Sequence, residues 1–234
     1  PELKAKHEVE TPGDCFLASM GIYVFNRDLI RELLDNPLPD FGKHIIPNAI
    51  KNHPVYSYVY QGYWEDIGTI RSFFEANLDL VTELPRFNFF DMSAPIFSRP
   101  RYLPGSKING AVIDHALVTD GCIINGAKIV HSIIGLRTVV GAGTELDRAI
   151  VLGSDYYESE DSVIKHEKAG QPRVGIGANC KIENAIIDKN ARIGNNVTIS
   201  PAGKPENVDH ELYFIRDGIV VIPKNGIIPH GTVI

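Results

Sequence analysis

The sequence has no apolar run that approaches the ~20 residues of a membrane-spanning helix, although 44% of its 234 residues are hydrophobic. It also has no long run of basic residues, and its formal net charge is −6. Nucleic-acid-binding surfaces are usually rich in lysine and arginine. The composition therefore argues against a membrane or a nucleic acid as a partner, and the length indicates one or two globular domains.

Cysteine is scarce: Cys15, Cys122 and Cys180 are the three in the chain. An odd, widely spaced set fits neither a zinc site nor a secreted disulfide framework, so a reducing compartment is expected. Each cysteine is expected to be a small buried apolar residue rather than a nucleophile. The sequence begins with Pro1 instead of methionine and shows no signal peptide, which favours a processed or truncated start.

Two segments before residue 85 have the pattern of β-strands. Residues Phe16–Phe25 (FLASMGIYVF) form a mostly apolar run, which is typical of a strand buried on both faces. Residues Val55–Tyr60 (VYSYVY) alternate as a half-buried strand does. Ser19 and Tyr23 are four residues apart on the first segment, so both side chains would project from the same face of that strand.

Three further segments have helical spacing of their apolar residues. Asn26 is a candidate N-cap for a helix over Asp28–Leu34, a second helix is expected at His44–Lys51, and Thr69 would cap a third that ends near Val81. Together with the strands, these helices predict an α/β domain over residues 1–84. Residues 85–106 contain four prolines among aromatic and basic residues, which indicates an extended linker.

From residue 107 to 234 single apolar residues recur about every six positions. The clearest series is Ile176, Ile182, Ile187, Ile193 and Ile199. A hexapeptide β-helix has this period, because each hexad forms one face of a coil and its apolar residue points to the axis. An antiparallel β-sandwich is less consistent, because its strands recur every 8–12 residues. The period fails at about residues 153–174, which predicts an insertion, and again in the loop Pro201–Leu212.

The order of several motifs resembles that of the bacterial and plant ADP-glucose pyrophosphorylases, over essentially the whole chain. These motifs are ASMGIYVF, DFGKHIIP, GYWEDIGT, APIFSRPRYLPGSK, GSDYYE, VGIGANCKIENAIIDKNARIG and GIVVIPKNGIIPHGTVI. The resemblance implies an α/β fold, the C-terminal remnant of a Rossmann-like nucleotidyltransferase domain. A left-handed parallel β-helix of hexapeptide repeats, all β, would follow it.

The family's glycine-rich loop, which holds the ATP phosphates, has no counterpart in these 234 residues, and neither has its FxEKP segment. We therefore expect a fragment that begins inside the catalytic domain and is inactive alone. The reaction implied for the full-length enzyme joins ATP and glucose 1-phosphate into ADP-glucose and pyrophosphate, with Mg²⁺. Its place would be glycogen or starch synthesis.

The resemblance also implies roles for individual residues. Asp66 of the WEDIG loop would be the catalytic Mg²⁺ ligand, shared with a carboxylate outside this chain, and would also lie at the sugar. The other sugar-binding residues would be Ser19, Tyr23, Asp40, Phe41 and Trp64. From the residues alone, Asp66 could instead be a solvated or capping carboxylate, Trp64 could be core, and Ser19 and Tyr23 could be core or edge polar residues.

A second group of residues is basic and suits anionic ligands, because arginine and lysine pair with phosphate. The resemblance places Arg101, Lys189 and Lys224 among residues that bind an allosteric effector, and Arg99 is a weaker member. Arg192 is a further basic position on the β-helix. The effector would be a phosphorylated metabolite of the 3-phosphoglycerate or fructose 1,6-bisphosphate type, with phosphate as an inhibitor. Taken alone, each of these residues is more commonly a solvated charge, and only their joint match to the family favours the effector site.

The family's usual assembly is a homo- or heterotetramer, located in the cytoplasm if bacterial and in the plastid stroma if from a plant. Three alternatives stay open from the sequence. They are a related enzyme that uses another nucleotide or sugar, a non-catalytic regulatory subunit, and a hexapeptide-repeat acyltransferase. The last would need a catalytic histidine, for which the candidates are His115, His131, His166, His210 and His230.

Overall fold

A computed structural model describes residues 18–234, and the chain divides between Trp64 and Glu65 into two compact units. The first unit contains helix α1 (Arg27–Leu34), a single π-helical turn (Phe41–Ile45) and helix α2 (Ile46–Asn52). Its small core consists of Leu33, Ile45 and Ala49, with Phe25 and Leu29 packed around them.

The predicted start of α1 is confirmed, whereas the predicted start of the second helix is corrected. The side chain of Asn26 accepts a hydrogen bond from the backbone N–H of Asp28 at 3.0 Å, which confirms the predicted N-cap. The helix predicted from His44 differs at its start, because the π-helical turn begins at Phe41 and α2 itself begins at Ile46. The side chain of Asp40 accepts the backbone N–H of Lys43 at 2.8 Å, and this cap starts the π-helical turn that leads into α2.

Both predicted strands of this unit are wrong over the described residues, since residues 18–25 and 55–60 are not in strands. Val24 is 98% exposed, and Tyr56 and Tyr58 are more than 80% exposed. A strand buried on both faces needs hydrogen-bonded neighbours, and residues 18–64 contain no strand that could pair with either segment. Residues 16 and 17 lie outside the described part of the chain.

The second unit begins with helix α3 (Ile70–Asp79). Thr69 and Ser72 form a capping box, with Thr69 Oγ1 accepting the Ser72 N–H and Ser72 Oγ accepting the Thr69 N–H, each at 3.1 Å. The predicted cap is therefore confirmed, and the helix ends two residues before the predicted Val81. Residues 85–106 form no helix or strand, as their prolines predict.

The rest of the unit is a coil of short strands. In chain order they are β1 (Lys107–Asn109), β2 (Val112–Val118), β3 (Ile123–Asn125), β4 (Lys128–Ile134), β5 (Val139–Val140), β6 (Glu145–Val151), β7 (Gly175–Ile176), β8 (Lys181–Ile187), β9 (Arg192–Ile193), β10 (Thr198–Ile199), β11 (Val208–Asp209), β12 (Phe214–Arg216), β13 (Ile219–Ile222) and β14 (Ile227–Ile228). One sheet has the order β1-β3-β5-β7-β9-β14, and the other contains β2, β4, β6 and β8 in succession.

Neighbouring coils pair in parallel, and the repeated apolar residues stack in register along the axis. Ile129 pairs with Leu146 and Leu146 with Ile182, which in turn pairs with Ile199. All four side chains are at most 1% exposed. The predicted parallel β-helix with its apolar residues on the axis is therefore confirmed. Each stacked layer buries a surface that one coil could not bury alone.

Two departures from the regular coil occur where the six-residue period fails. Between β6 and β7 the chain leaves the coil and forms helix α4 (Glu160–Lys168), within the segment where an insertion is predicted. Within the loop Pro201–Leu212 the structure adds β11, and β11, β12 and β13 pair in antiparallel fashion. The spacing of the apolar residues did not predict this small meander.

Helix α3 packs on the outer surface of the β-helix. Its Phe74 and Leu78 are buried against Ile150, Ile186 and Ile219. The packing division thus falls at residue 64, whereas the boundaries at residues 84 and 106 stay predictions. Within residues 18–234 no helix is both long and apolar enough to cross a membrane.

Candidate functional site

Ser19 and Tyr23 lie together on one side of the chain, with Ser19 Oγ 2.8 Å from Tyr23 Oη. A turn, not the pleat of a strand, brings them together. Gly21 between them has φ +72°, and its N–H donates to Ser19 Oγ at 3.2 Å. The two hydroxyls therefore form one hydrogen-bonding unit on the exposed surface of the first unit.

A row of aromatic rings continues this surface. The ring of Tyr23 lies 6.4 Å from that of Phe25, and Phe25 lies 6.1 Å from Phe41 in an edge-to-face arrangement. Phe25 thus links two predicted sugar-binding residues, although it was not itself predicted to be one. Its position at the end of an apolar run gave no sign of this contact.

Asp40 and Trp64 complete the residues that were predicted for the first unit. The Asp40 carboxylate caps the π-helical turn and lies 3.9 Å from the Lys43 ammonium group. The indole of Trp64 is 44% exposed, so it does not have the buried position that a core role would require. Exposed aromatic and polar side chains of this kind are suited to contact a sugar ring and its hydroxyls.

Asp66 lies in the second unit, immediately before α3. Its Oδ1 accepts the backbone N–H of Gly68 at 2.9 Å, which closes a tight turn and orients the carboxylate. The neighbouring Glu65 lies 3.7 Å from the Arg86 guanidinium group, and Arg86 also reaches Asp79. Glu65 is therefore held in an ion pair, whereas the exposed Asp66 carboxylate makes no ion pair within residues 18–234.

The Asp66 carboxylate fits part of a Mg²⁺ site. Mg²⁺ in nucleotide-using enzymes is commonly held by one or two carboxylates together with waters and substrate phosphates. Within the described residues no group of three or more side chains could hold a metal ion by itself. A metal at Asp66 would therefore need ligands from the substrate and from another carboxylate.

Two of the predicted effector residues meet at one carboxylate. Lys189 Nζ lies 3.1 Å from Asp155 Oδ1, and Lys224 Nζ lies 3.6 Å from Asp155 Oδ2. Asp155 was not among the predicted effector residues. Its hydrogen bond from Lys189 is the main cause that lowers the pKa of this carboxyl group, with a second contribution from Asn190.

The stacking of the coils brings the two lysines together. The backbone N–H of Asn225 donates to the carbonyl of Lys189 at 2.9 Å, so residues 189–190 and 224–225 occupy the same corner on successive coils. One coil earlier, the carbonyl of Gly153 accepts the N–H of Asn190 at 3.0 Å, so residues 153–155 lie at the same corner. Asp155 therefore starts the insertion at this corner, beside both lysines.

The three arginines of this group do not join the cluster of Lys189, Lys224 and Asp155. Arg99 and Arg101 are exposed and make no hydrogen bond or ion pair within the described part of the chain. Arg192 is buried, which corrects its assignment to the group of anion-binding residues. Its guanidinium group lies 2.8 Å from Glu158 and donates to the carbonyl of Pro172 at 2.9 Å.

Glu158 fastens the insertion to the coil. Its carboxylate also contacts His166 Nδ1 at 2.9 Å and accepts the backbone N–H of Val174 at 2.8 Å. Burial of Glu158 raises its pKa, but the Val174 N–H and the Arg192 guanidinium group outweigh burial and the pKa is lowered overall. The buried Glu158 carboxylate and the Arg192 guanidinium group thus form an ion pair that joins the insertion to the coil.

The coils define the chain as a parallel β-helix protein with a helical segment before the β-helix. Residues 101–233 match the family model described as the GLGC left-handed parallel beta-helix domain. Residues 5–83 match the model for nucleotidyl transferase. The chain therefore belongs to the GLGC β-helix family, with part of a nucleotidyl transferase domain before the β-helix.

Two relatives illustrate the similarity. The chain is 46% identical over 224 residues to glucose-1-phosphate adenylyltransferase large subunit 1, chloroplastic/amyloplastic, of Zea mays, covering 94% of this chain and 43% of the relative. It is 44% identical over 227 residues to the small subunit of Triticum aestivum, covering 94% of this chain and 48% of the relative. These findings confirm the resemblance to the ADP-glucose pyrophosphorylases, and the chain spans somewhat less than half of either relative.

Proposed function

We propose that this chain supplies the sugar-side residues and the regulatory β-helix of a glucose-1-phosphate adenylyltransferase. The reaction converts ATP and glucose 1-phosphate into ADP-glucose and pyrophosphate. The observation that carries the proposal is the similarity of 94% of the chain to adenylyltransferase subunits. The sugar phosphate attacks the α-phosphate in line, so catalysis depends mainly on alignment and on neutralising phosphate charge.

The first unit would bind the sugar. Ser19 and Tyr23 offer paired hydroxyl groups, Phe41 extends the aromatic row through Phe25, and Trp64 presents an exposed indole. Asp40 would accept a hydrogen bond from a sugar hydroxyl. Ring faces and hydroxyl groups of this kind give orientation without a large charge.

Asp66 would hold Mg²⁺, whose chemistry here is to neutralise charge on the phosphates. The Gly68 N–H fixes one oxygen of the carboxylate, so the side chain is oriented before the metal binds.

Lys189 and Lys224, with Arg101 and Arg99, would bind a phosphorylated effector. An effector changes activity only when it binds one arrangement of the protein better than another.

The relatives are named as large and small subunits, which favours assembly into an oligomer, as a homo- or heterotetramer. The same names support a second candidate, a subunit that regulates a catalytic partner without catalysing the reaction itself. The relatives' names also favour the plastid stroma, with the cytoplasm as the alternative for a bacterial protein.

The test measures ADP-glucose formation from ATP, glucose 1-phosphate and Mg²⁺ by the full-length protein that contains this chain and by its Asp66→Asn variant. Asparagine keeps the oxygen that accepts the Gly68 N–H but removes the charge, so kcat should fall at least about 100-fold through loss of the metal ligand. Asp91→Asn is a matched control, because Asp91 closes a similar exposed turn by accepting the Ser93 N–H. Activity of Asp66→Asn within a few-fold of wild type would remove Asp66 from the metal site. A wild-type protein that is inactive alone but modulates an active subunit would favour the regulatory candidate.

A further inference from the structure

Asp155 already neutralises part of the charge on the lysines that are proposed to bind an effector. One carboxylate oxygen lies 3.1 Å from the Lys189 ammonium group and the other lies 3.6 Å from that of Lys224. The carboxylate therefore bridges two cations. A cluster of two ammonium groups and one carboxylate keeps one net positive charge, and its members are all about half exposed.

The position of this carboxylate is fixed by hydrogen bonds with Asn190 and not only by the ion pairs with the lysines. The Asp155 N–H donates to Asn190 Oδ1 at 2.8 Å, and Asn190 Nδ2 donates back to Asp155 Oδ2 at 3.1 Å. Asn190 is almost fully buried. Arg137 also donates to the carbonyl of Ser154 at 3.1 Å. Asp155 is thus held at the corner by hydrogen bonds that do not involve the two lysines.

The lowered pKa of Asp155 means that the carboxylate stays ionised near neutral pH. An incoming anion must therefore take the two ammonium groups from a carboxylate that is already in place. A ligand with a single carboxylate gains nothing over Asp155. A phosphate group carries more charge and more acceptor oxygens, so it can bind both lysines more strongly than Asp155 does.

We propose that Asp155 is an internal competitor for the anionic ligand of Lys189 and Lys224, and that it restricts this site to phosphorylated ligands. The inference rests on the proposed function in one respect, namely that these two lysines bind an effector anion. Beyond that function, Asp155 would set the affinity and the charge selectivity of the site formed by the two lysines. Asp155 weakens the binding of every anion and excludes those that do not exceed its own charge.

The experiment measures the Kd of 3-phosphoglycerate, inorganic phosphate and acetate by titration calorimetry at low ionic strength, where screening is weak. The variants are Asp155→Asn, Asp188→Asn and Lys189→Ala in the purified protein. Asparagine at 155 can still accept from Asn190 and leaves the backbone bond to Asn190 intact. Asp188 is the matched control, because it accepts the backbone N–H of Lys189 and its loss removes one charge from the same corner.

Asp155→Asn should bind 3-phosphoglycerate about 3- to 10-fold more tightly than wild type, since each exposed ion pair contributes only modestly. It should also gain measurable acetate binding, whereas Asp188→Asn should change each Kd by less than about two-fold. Lys189→Ala should weaken phosphate binding. Thermal unfolding of each variant, together with Asp155→Ala, separates a local change in charge from a loss of folding.

The outcomes distinguish the two proposals. Unchanged or weaker anion binding by Asp155→Asn, with weaker binding by Lys189→Ala, would overturn competition by Asp155 and leave the lysines as an anion site. Equal tightening by Asp155→Asn and Asp188→Asn would also overturn it, because general charge would then explain the effect. Anion binding unaffected by every variant would overturn both the competition and the assignment of the lysines.

Discussion

Left-handed backbone conformations recur at the corners of the β-helix, and the residues that adopt them differ in how well they tolerate them. Asn179, Asn184, Asn190, Asn196 and Asn225 all have φ between 48° and 61°. Asparagine is among the few residues with a side chain that visit this region at low cost. The corners therefore explain why asparagine and glycine recur in the repeat.

Gly153 combines a left-handed conformation with close packing. Its φ is +88°, and a Cβ atom there would overlap the backbone of Gly135 and Leu136 on the preceding coil. Gly153→Ala should lower the free energy of unfolding by more than about 3 kcal/mol, from the conformation and the overlap together. Denaturant unfolding measures this change.

Gly110→Ala separates the two contributions. Gly110 has φ +60°, but a Cβ atom there would meet no atom within 4 Å. Its replacement should cost only the conformational energy, about 1–2 kcal/mol. Equal losses in the two variants would show that close packing at Gly153 contributes nothing.

At the scale of elements, the insertion that contains α4 depends on a buried ion pair at its base. Glu158 and Arg192 have side chains that are 7% and 10% exposed. Removing one partner of such a pair leaves the other charge buried without compensation. The insertion also carries Asp155, so the ion pair holds in place the segment that reaches the two lysines.

Glu158→Gln should destabilise the protein by about 1–3 kcal/mol at neutral pH, because charge-assisted hydrogen bonds are lost. The folded-state pKa of Glu158 lies below its ordinary value of 4.5. Its stabilising contribution is therefore complete above that value and is lost as the pH falls through the lower, folded-state pKa. The difference in unfolding free energy between wild type and variant should thus shrink below a pH of about 4.5.

Urea unfolding across this pH range tests the assignment. Glu211→Gln is the control, since Glu211 is exposed and makes no ion pair within residues 18–234. A difference for Glu158→Gln that does not change with pH would contradict the ion-pair explanation. A loss equal to that of Glu211→Gln would show that the buried pair adds nothing to stability.

At the scale of the whole molecule, α3 belongs to the β-helix unit even though the nucleotidyl transferase match includes it. Phe74 is 1% exposed, and the guanidinium group of Arg148 lies 5.4 Å from the centre of its ring. Arg148 also donates to Glu75 at 3.1 Å, and Arg71 donates to the carbonyl of Asp217 at 2.7 Å. Apolar and polar contacts therefore join the helix to the coils.

A fragment of residues 65–234 should unfold about 10 °C above one of residues 85–234, which lacks α3. Burial of Phe74, Leu78 and Val81 contributes about 1.5–3 kcal/mol for each side chain, and each kcal/mol shifts Tm by a few degrees in a domain of this size. Differential scanning calorimetry measures both values. Equal Tm values would mean that α3 does not stabilise the β-helix.

Much of the β-helix could be predicted from single residues, because each coil repeats the same requirement. Ile182 and Ile193 mark buried positions by their spacing alone, and both are at most 1% exposed. The caps at Asn26 and Thr69 were also recognised, since an N-cap depends on residues within one turn. The strand predictions are wrong over residues 18–25 and 55–60, because strand formation depends on neighbours that residues 18–64 do not provide.

The proposed site shows the same distinction. The four-residue spacing of Ser19 and Tyr23 predicted that both side chains lie on the same face of a strand. Their hydroxyl groups do meet, but the turn at Gly21 brings them together instead of a strand pleat. Arg192 was grouped with the anion-binding residues because it is basic, whereas burial gives it to Glu158. The sequence shows that Arg192 is charged, but only the folded structure shows that Glu158 neutralises this charge.

The repeat, its interruptions and the helix caps follow from the order of the residues, because they depend on short-range spacing and local hydrogen bonds. The position of Asp155 between Lys189 and Lys224, and the packing of α3 on the coils, depend on contacts between residues that are far apart in the chain. The physical reason is that stacking sets which distant residues share a corner. That register arises from the packing of all the coils together.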